Sequence, residues 1–460
     1  MASRLENYVL FVTTLTAFFA IFLSSAVMMA VPTLAGEFGM SNIVQNWIST
    51  IYLLSLAVVT IPVGQISSKY GLKKTMIIGL IIFIITTTVI MFSTSQDMFL
   101  ILRIIQGAGS GIITVSATAM LVSAFSPEER GKALGINAIG ICLAAIVSPI
   151  FAGYLNNSFG WRSIFLFTIP FLVLCLVLLF TEIKKEWKTL EGVPIDIKGI
   201  ILYSFGIFLF VFGFTTLNRP DGIIYAIAGL IILVVFGFME LKTEHPVFNV
   251  GLFKNPKFLT SNVAALAAYF AMSVIFTIMN YHLQYIRGFN SQEAGMLLII
   301  APVLQVIMSP ISGSLSDKIN PQILAAIGGV IGAVGIIMII FLSKEVSLVL
   351  VIISFILLGL GFGLFSPANT NEIMGSVPKK ETSMASASYS VMRVVGQTMS
   401  MGIFTFVFAI VMGNVPIIPE NYHLLIQSSQ ITAVICTVVC IISVVVSIIG
   451  VRSKGYYNSG

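Results

Sequence analysis

Fourteen separate runs of apolar residues leave this chain few ways to fold. They cover 8–31, 47–66, 75–92, 98–125, 133–155, 163–181, 199–217, 222–239, 258–281, 294–315, 323–342, 347–369, 384–412 and 431–451. Each is near the length of about 20 residues that crosses a bilayer as a helix. In lipid every backbone N–H and C=O has to find a partner within the segment, so such runs read as helices. Composition points the same way. Of 460 residues only 9% are charged, and the mean hydropathy is +1.04, whereas a soluble chain carries about 25% charged residues. The expected fold is an all-α polytopic membrane protein in a lipid bilayer.

Several function classes drop out at this point. No basic cluster alternates with aromatics on a soluble domain, so nucleic acid is not an expected partner. No loop is long enough to hold a soluble catalytic domain. The sequence shows no nucleotide-binding loop, no metal-ligand spacing and no nucleophile with a paired base, so neither an enzyme, a cofactor nor a metal site is expected. Cys142, Cys175, Cys436 and Cys440 fall inside apolar runs and read as small core residues. The first run follows a short polar start and is long enough to span, so it reads as a membrane helix rather than a cleavable leader.

Orientation follows from lysine and arginine. One set of loops carries eighteen of them, including Arg4, Lys69, Lys73, Lys74, Lys188, Lys254, Lys318, Lys379 and Arg452. The opposite set carries four: Arg162, Arg219, Arg287 and Lys344. The bias alternates loop by loop, which places both termini in the cytoplasm of a multi-pass protein of the cell membrane. The remaining two, Arg103 and Arg393, lie inside apolar runs.

The chain also repeats itself. Gly64–Lys74 reads GQISSKYGLKK and is expected to be a tight turn after segment 2. Gly313–Lys318 reads GSLSDK after segment 10. Both fit G-x-[I/L]-S-x-K at equivalent places, a repeat signal, and parallel repeats of this kind build one large class of transporters. Residues 1–182 are expected to form one six-helix bundle, and 258–460 a second bundle with a short cytoplasmic tail. Residues 183–257 form two cytoplasmic stretches around an inserted pair of helices.

Arginine in a membrane segment costs roughly +2.5 to +3.5 kcal/mol at the bilayer centre, so Arg103 has to face protein or water. It opens RIIQGAGSG (Arg103–Gly111). Gln106 falls near its helix face, and the glycines admit a close neighbour. Two readings stand: a pathway residue, or a strut that holds helices together. Tyr389, Arg393 and Gln397 recur at four-residue steps and share a face that has to avoid lipid. That face either lines a cavity or fixes packing.

These stretches carry a family resemblance. The GQISSKYGLKK turn, RIIQGAGSG, and Ser148-Pro149 with Ala152 and Gly153 follow each other in order. ERGKALG at Glu129–Gly135, WRSIF at Trp161–Phe165, Asp196 with Gly199, and HPVFNVGLFKNPKF at His245–Phe258 continue the series, as do Gln284, Gly288, Gly295, Pro302 and Ala385–Gly402. Together they resemble the major facilitator superfamily, and within it the fourteen-helix drug:proton antiporter branch. The resemblance implies two six-helix bundles of that type plus a two-helix central insertion. It also implies alternating access, with Gly64, Ser68, Gly71, Lys73, Gly313, Asp317 and Lys318 in gating loops and Ser148, Pro149 and Gly153 in the antiporter motif.

The departures bear on mechanism. Ser68 stands where the family pattern has an aspartate. Near Leu23 and Met28 the pattern has an acidic residue and an Asn, but here Ser24 and Ser25 are the polar groups of that stretch. Every Asp and Glu lies at a helix end or in a loop. Glu372, expected just past the end of segment 12 and facing Lys379 or Lys380, is the deepest candidate proton site. His282 is expected to be an interfacial polar residue. Proton coupling therefore comes from the resemblance alone.

The leading expectation is a secondary transporter, monomeric, exporting amphipathic or drug-like small organic molecules with protons as the candidate coupling ion. Arg103, Gln106, Tyr389, Arg393, Gln397, Ser24 and Ser25 would line its pathway. The alternatives are a carrier of one defined metabolite or lipid-like solute not coupled to protons, and a non-transporting membrane sensor.

Overall fold

The computed structural model describes residues 4–188, 194–217, 219–316, 318–378, 382–413 and 415–452. Asp317, Lys379 and Lys380 lie outside them, so nothing is said of their structure. The described residues form helices joined by loops and turns, with fourteen helical stretches long and apolar enough to cross a membrane. The first bundle holds α1 (Arg4–Phe38), α2 (Asn42–Tyr70), α3 (Leu72–Ile90), α4 (Gln96–Ala124), α5 (Pro127–Phe159) and α6 (Arg162–Thr181). The insertion is α7 (Ile197–Thr215) and α8 (Pro220–Glu240). The second bundle holds α9 (Pro256–Tyr281), α10 (Ser291–Leu298), α11 (Ile300–Ser316), α12 (Pro321–Ile340), α13 (Leu348–Gly375), α14 (Thr382–Val411) and α15 (Tyr422–Arg452).

Local chemistry sets the helix ends. Ser41 and Ser95 accept hydrogen bonds from Val44 N and Met98 N, which satisfies donors left over in the first turn. Asn290 and Glu293 form a reciprocal capping box that starts α10. Segment 10 is two helices rather than one. Proline has no N–H and its ring crowds the carbonyl four residues back, so Pro302 explains why α10 stops at Leu298.

The turn after segment 2 is shorter than expected. No proline falls between Gly64 and Tyr70, so α2 runs on to Tyr70, and Gly64 and Ser68 are helical rather than looped. The reversal falls on Gly71, whose φ of 122° is a conformation that side chains rarely adopt. A methyl group there would also strike the carboxylate of Glu186. That carboxylate accepts from Lys73 N at 2.8 Å and from Lys74 N at 3.1 Å. It is an anion at the N-terminus of α3, where the helix dipole favours one.

At the opposite end, Arg162 grips Glu37 with both terminal nitrogens, at 2.7 and 3.1 Å, and Trp161 Nε1 donates to the same carboxylate. This joins the end of α1 to the start of α6.

The inserted hairpin packs closely through glycines: Gly213 meets the backbone of Ala226, and Gly229 meets that of Phe210. It lies over the line where the bundles touch. On one side Tyr203 and Ser204 donate to the carbonyls of Ala57 and Val58 in α2. On the other, Tyr203, Ile207 and Val211 share an apolar cluster with Val391, Val394 and Val395 of α14.

Candidate functional site

Arg103 is fully buried. Its guanidinium lies 4.2 Å from the ring centroid of Tyr52. Its Nη1 donates to Gln106 at 2.7 Å, and its Nε to the carbonyl of Ile48 at 3.4 Å. Gln106, also buried, passes the chain on to the hydroxyl of Thr87 at 2.9 Å. Arg103 and Gln106 thus tie α4 to α2 and α3. The glycine run that follows does the same by close approach. Gly107 and Gly111 face the backbone of Tyr52 and Leu56, while Gly109 faces Phe83 and Gly79. In this conformation the strut reading is the one these contacts support. Among the described residues Arg103 has no carboxylate partner.

A second polar group forms in the other bundle. The hydroxyls of Tyr389 and Tyr269 are 2.7 Å apart, and Ser366 Oγ is 3.1 Å from Tyr389. Arg393 lies one turn further along α14 than Tyr389. Tyr389, Arg393, Gln397 and Ser366 are half-buried. Tyr389, on the α14 face it shares with Arg393 and Gln397, meets Tyr269 of α9 and Ser366 of α13. Ser24 and Ser25 on α1 are also half-buried.

Ser148, Pro149 and Gly153 sit where the bundles meet. Ser148 is buried. A methyl group at Gly153 would strike the backbone of Ser291 and Gln292, and one at Gly295 would strike that of Pro149. The two helices therefore touch backbone to backbone. Asn156 donates to Ser291 at 2.7 Å beside them.

Further contacts join the bundles on the same side. Asn280 and Gln284 donate to the carbonyls of Met28 and Met29, Tyr281 to Asn46, and Tyr285 to Gln45. All of these lie between mid-membrane and the end where the loops are poor in lysine. At the lysine-rich end the polar contacts of the described residues have another character. Arg4 with Glu182, Glu186 with the start of α3, and Lys257 with Glu372 each stay within one bundle or its flanking loop. Asp196 N bonds Gln65 and anchors the hairpin to α2. Lys73 is half-buried and Lys318 exposed.

Two expectations need correction. Glu372 lies within the last turn of α13 rather than past it, and Lys257 comes within 3.5 Å of it because the start of α9 packs against that turn; the expected partners Lys379 and Lys380 lie outside the described residues. His282 is 1% exposed rather than interfacial. It sits in a π-helical turn, His282–Ile286, where one extra residue rotates the chain inward.

Reading the sequence alone missed Tyr269, Ser366, Asn280, Tyr281, Tyr285, Glu186 and the Arg162–Glu37 pair. The amide and tyrosine residues had a signal: Asn280 with Gln284, and Tyr281 with Tyr285, recur at four-residue steps in an apolar segment. Glu186 had none, because its partners are backbone amides.

Two helical bundles in a membrane, interlocked toward one end and with polar groups deep inside, define a polytopic carrier. The family model described as Major Facilitator Superfamily matches residues 13–401. The chain belongs to that superfamily. It is 24% identical over 401 residues to a riboflavin transporter of Clostridioides difficile (strain 630), covering 87% of this chain and 88% of that protein. It is 28% identical over 327 residues to a lincomycin resistance protein of Bacillus subtilis (strain 168), covering 69% and 67%. Among solved structures, a bacterial homologue of the human lysosomal transporter Spinster matches with a TM-score of 0.73. That structure is inward-facing and unoccupied, 14% identical, and the match covers 98% of each chain.

Proposed function

We propose that the chain is a secondary active transporter that exports amphipathic or drug-like small organic molecules by alternating access. The observation that carries this reading is the asymmetry of the bundle interface. Gly153 and Gly295 interlock toward the lysine-poor end, where Asn156–Ser291, Asn280–Met28, Tyr281–Asn46 and Tyr285–Gln45 hydrogen bonds also join the bundles, while Arg4–Glu182 and Lys257–Glu372 at the lysine-rich end each stay within one bundle or its flanking loop. The lysine bias makes the lysine-rich end cytoplasmic, so this is an inward-facing state, the state named for the Spinster homologue. Residues 1–182 and 258–460 are the bodies that rock, and 183–257 rides with the seam. The protein works as a monomer in the cell membrane with both termini in the cytoplasm.

Tyr389, Arg393, Gln397, Ser24 and Ser25 supply the polar lining in this reading. The resistance protein among the relatives supports export of drug-like compounds. One observation favours a second reading, a carrier of one defined metabolite: the riboflavin transporter aligns over more of the chain. Protons are the candidate coupling ion, with Glu372 as the candidate site.

The test is transport by the purified chain in proteoliposomes, with and without a pH gradient, using riboflavin, lincomycin and organic dyes. Net movement of several unrelated compounds supports the export reading. Movement of riboflavin alone favours the second reading, and no movement of any compound sinks both.

A further inference from the structure

The charges near mid-membrane are of one sign. Every Asp and Glu of the sequence sits at a helix end or in a loop, and the two charged residues within membrane segments are Arg103 and Arg393. Arg393 is eleven residues into α14. At ~1.5 Å per residue it lies roughly 16 Å from the lysine-rich end, near mid-membrane. Lys257 and Glu372, closer to that end, form a pair of no net charge.

The two arginines differ in what they can offer a ligand. Arg103 is fully buried and spends its hydrogen bonds on Ile48 and Gln106. Arg393 is half-buried and has no ion pair among the described residues. A cation at this depth is retained where it meets a partner or lines a watered cavity.

Beside Arg393 stands the hydroxyl cluster. Tyr269, Tyr389 and Ser366 carry three protons, and the two hydrogen bonds that join them use two. The third is left to donate to an acceptor. A planar guanidinium next to a spare hydroxyl donor suits a carboxylate, sulfonate or phosphate group. A cationic ligand there would meet the like charge of Arg393, and the carboxylate of Glu372 is already paired with Lys257. The edge-on ring of Phe362, 5.0 Å from that of Tyr269, gives an apolar body a surface to lie on.

We propose that the transported compound is an organic anion whose acidic group is held by Arg393 with a hydroxyl of the Tyr389–Tyr269–Ser366 cluster. The proposal rests on the carrier reading above and narrows it from amphipathic molecules to anionic ones.

Two dyes on one ring system test it: fluorescein, an anion at neutral pH, and a rhodamine methyl ester, a cation. Binding to the full chain in detergent is followed by fluorescence anisotropy, and transport by exchange in proteoliposomes. The expected result is that fluorescein binds at least tenfold more tightly than the rhodamine ester. Arg393→Gln should bring the ratio near one, and Arg393→Lys should keep part of the preference. Thermal unfolding of each variant checks that the fold survives, and Tyr389→Phe, which removes one hydroxyl at constant shape, should weaken fluorescein alone.

Equal or tighter binding of the rhodamine ester, no saturable fluorescein binding, or a ratio unmoved by Arg393→Gln overturns the proposal. If the rhodamine ester is transported and fluorescein is not, the carrier reading stands and the charge assignment falls. If fluorescein binds in an Arg393-dependent way but neither dye crosses, the charge assignment stands and the carrier reading falls.

Discussion

Substituting Gly153 by alanine should open the lysine-poor end. A methyl group at this position runs into the backbone of Ser291 and Gln292, and backbone, unlike a side chain, cannot rotate away. Overpacking a tight contact costs about 1–3 kcal/mol. Both conformations keep residue 153 in α5, so the gain in helix propensity from glycine to alanine cancels between them. The cost therefore falls on the interlocked state alone. Since ~1.4 kcal/mol is tenfold, the population ratio should move by about fivefold to somewhat over a hundredfold toward the state open at that end. Thr94 and Lys344 are exposed in lysine-poor loops of the two bundles. Spin labels there, in a background without the native cysteines, should report a longer distance in Gly153→Ala. Gly295→Ala should act in the same direction, because its methyl group meets Pro149. An unchanged distance distribution in both variants, with the protein still folded, would refute the reasoning.

Arg103→Ala should lower thermal stability by about 2 kcal/mol or more, because each hydrogen bond to a buried charged group contributes about 1.5–3 kcal/mol. Arg103→Lys should not restore it, since an ammonium lacks the planar stack on Tyr52; thermal unfolding in detergent decides, and loss of transport at full stability would return Arg103 to the pathway. Glu186→Gln should cost about 0.3–1 kcal/mol through the weakened cap on α3, read in the same assay. Ser68→Asp should favour closure at the lysine-rich end, seen as a shorter distance between labels on the two bundles at that end. Single cysteines replacing Lys188 and Lys254 should label only after the membrane is permeabilised, and labelling from outside would overturn the orientation.

What could be read in advance follows from how local the physics is. A membrane segment declares itself because twenty apolar residues have one low-energy solution in lipid, and all fourteen segments are helical. Helix ends were harder. Gly64 and Ser68 read as a turn because they are small and polar, yet nothing there stops a helix until Gly71. Pro302 was visible, but not that the break would fall between Leu298 and Ile300. The site was legible in its residue types and not in its partners. Arg103 could not be assigned from sequence because one of its acceptors, the carbonyl of Ile48, belongs to every residue alike. Lys257 and Glu372 meet across more than a hundred residues of chain. Arg393 and Tyr389 did declare a shared face, since four-residue spacing is fixed by helix geometry. Tyr269 and Ser366 entered only through tertiary packing.

Alternating access predicts that a carrier held shut at one end cannot transport. The hydrogen bond between Asn156 and Ser291 marks a place to hold it, with side chains 2.7 Å apart across the bundle interface. Cysteines at these two positions, in a background without the native four, should cross-link under mild oxidation. Exchange of labelled substrate across proteoliposomes should then stop, and reductant should restore it. Undiminished exchange by fully cross-linked protein would contradict the account.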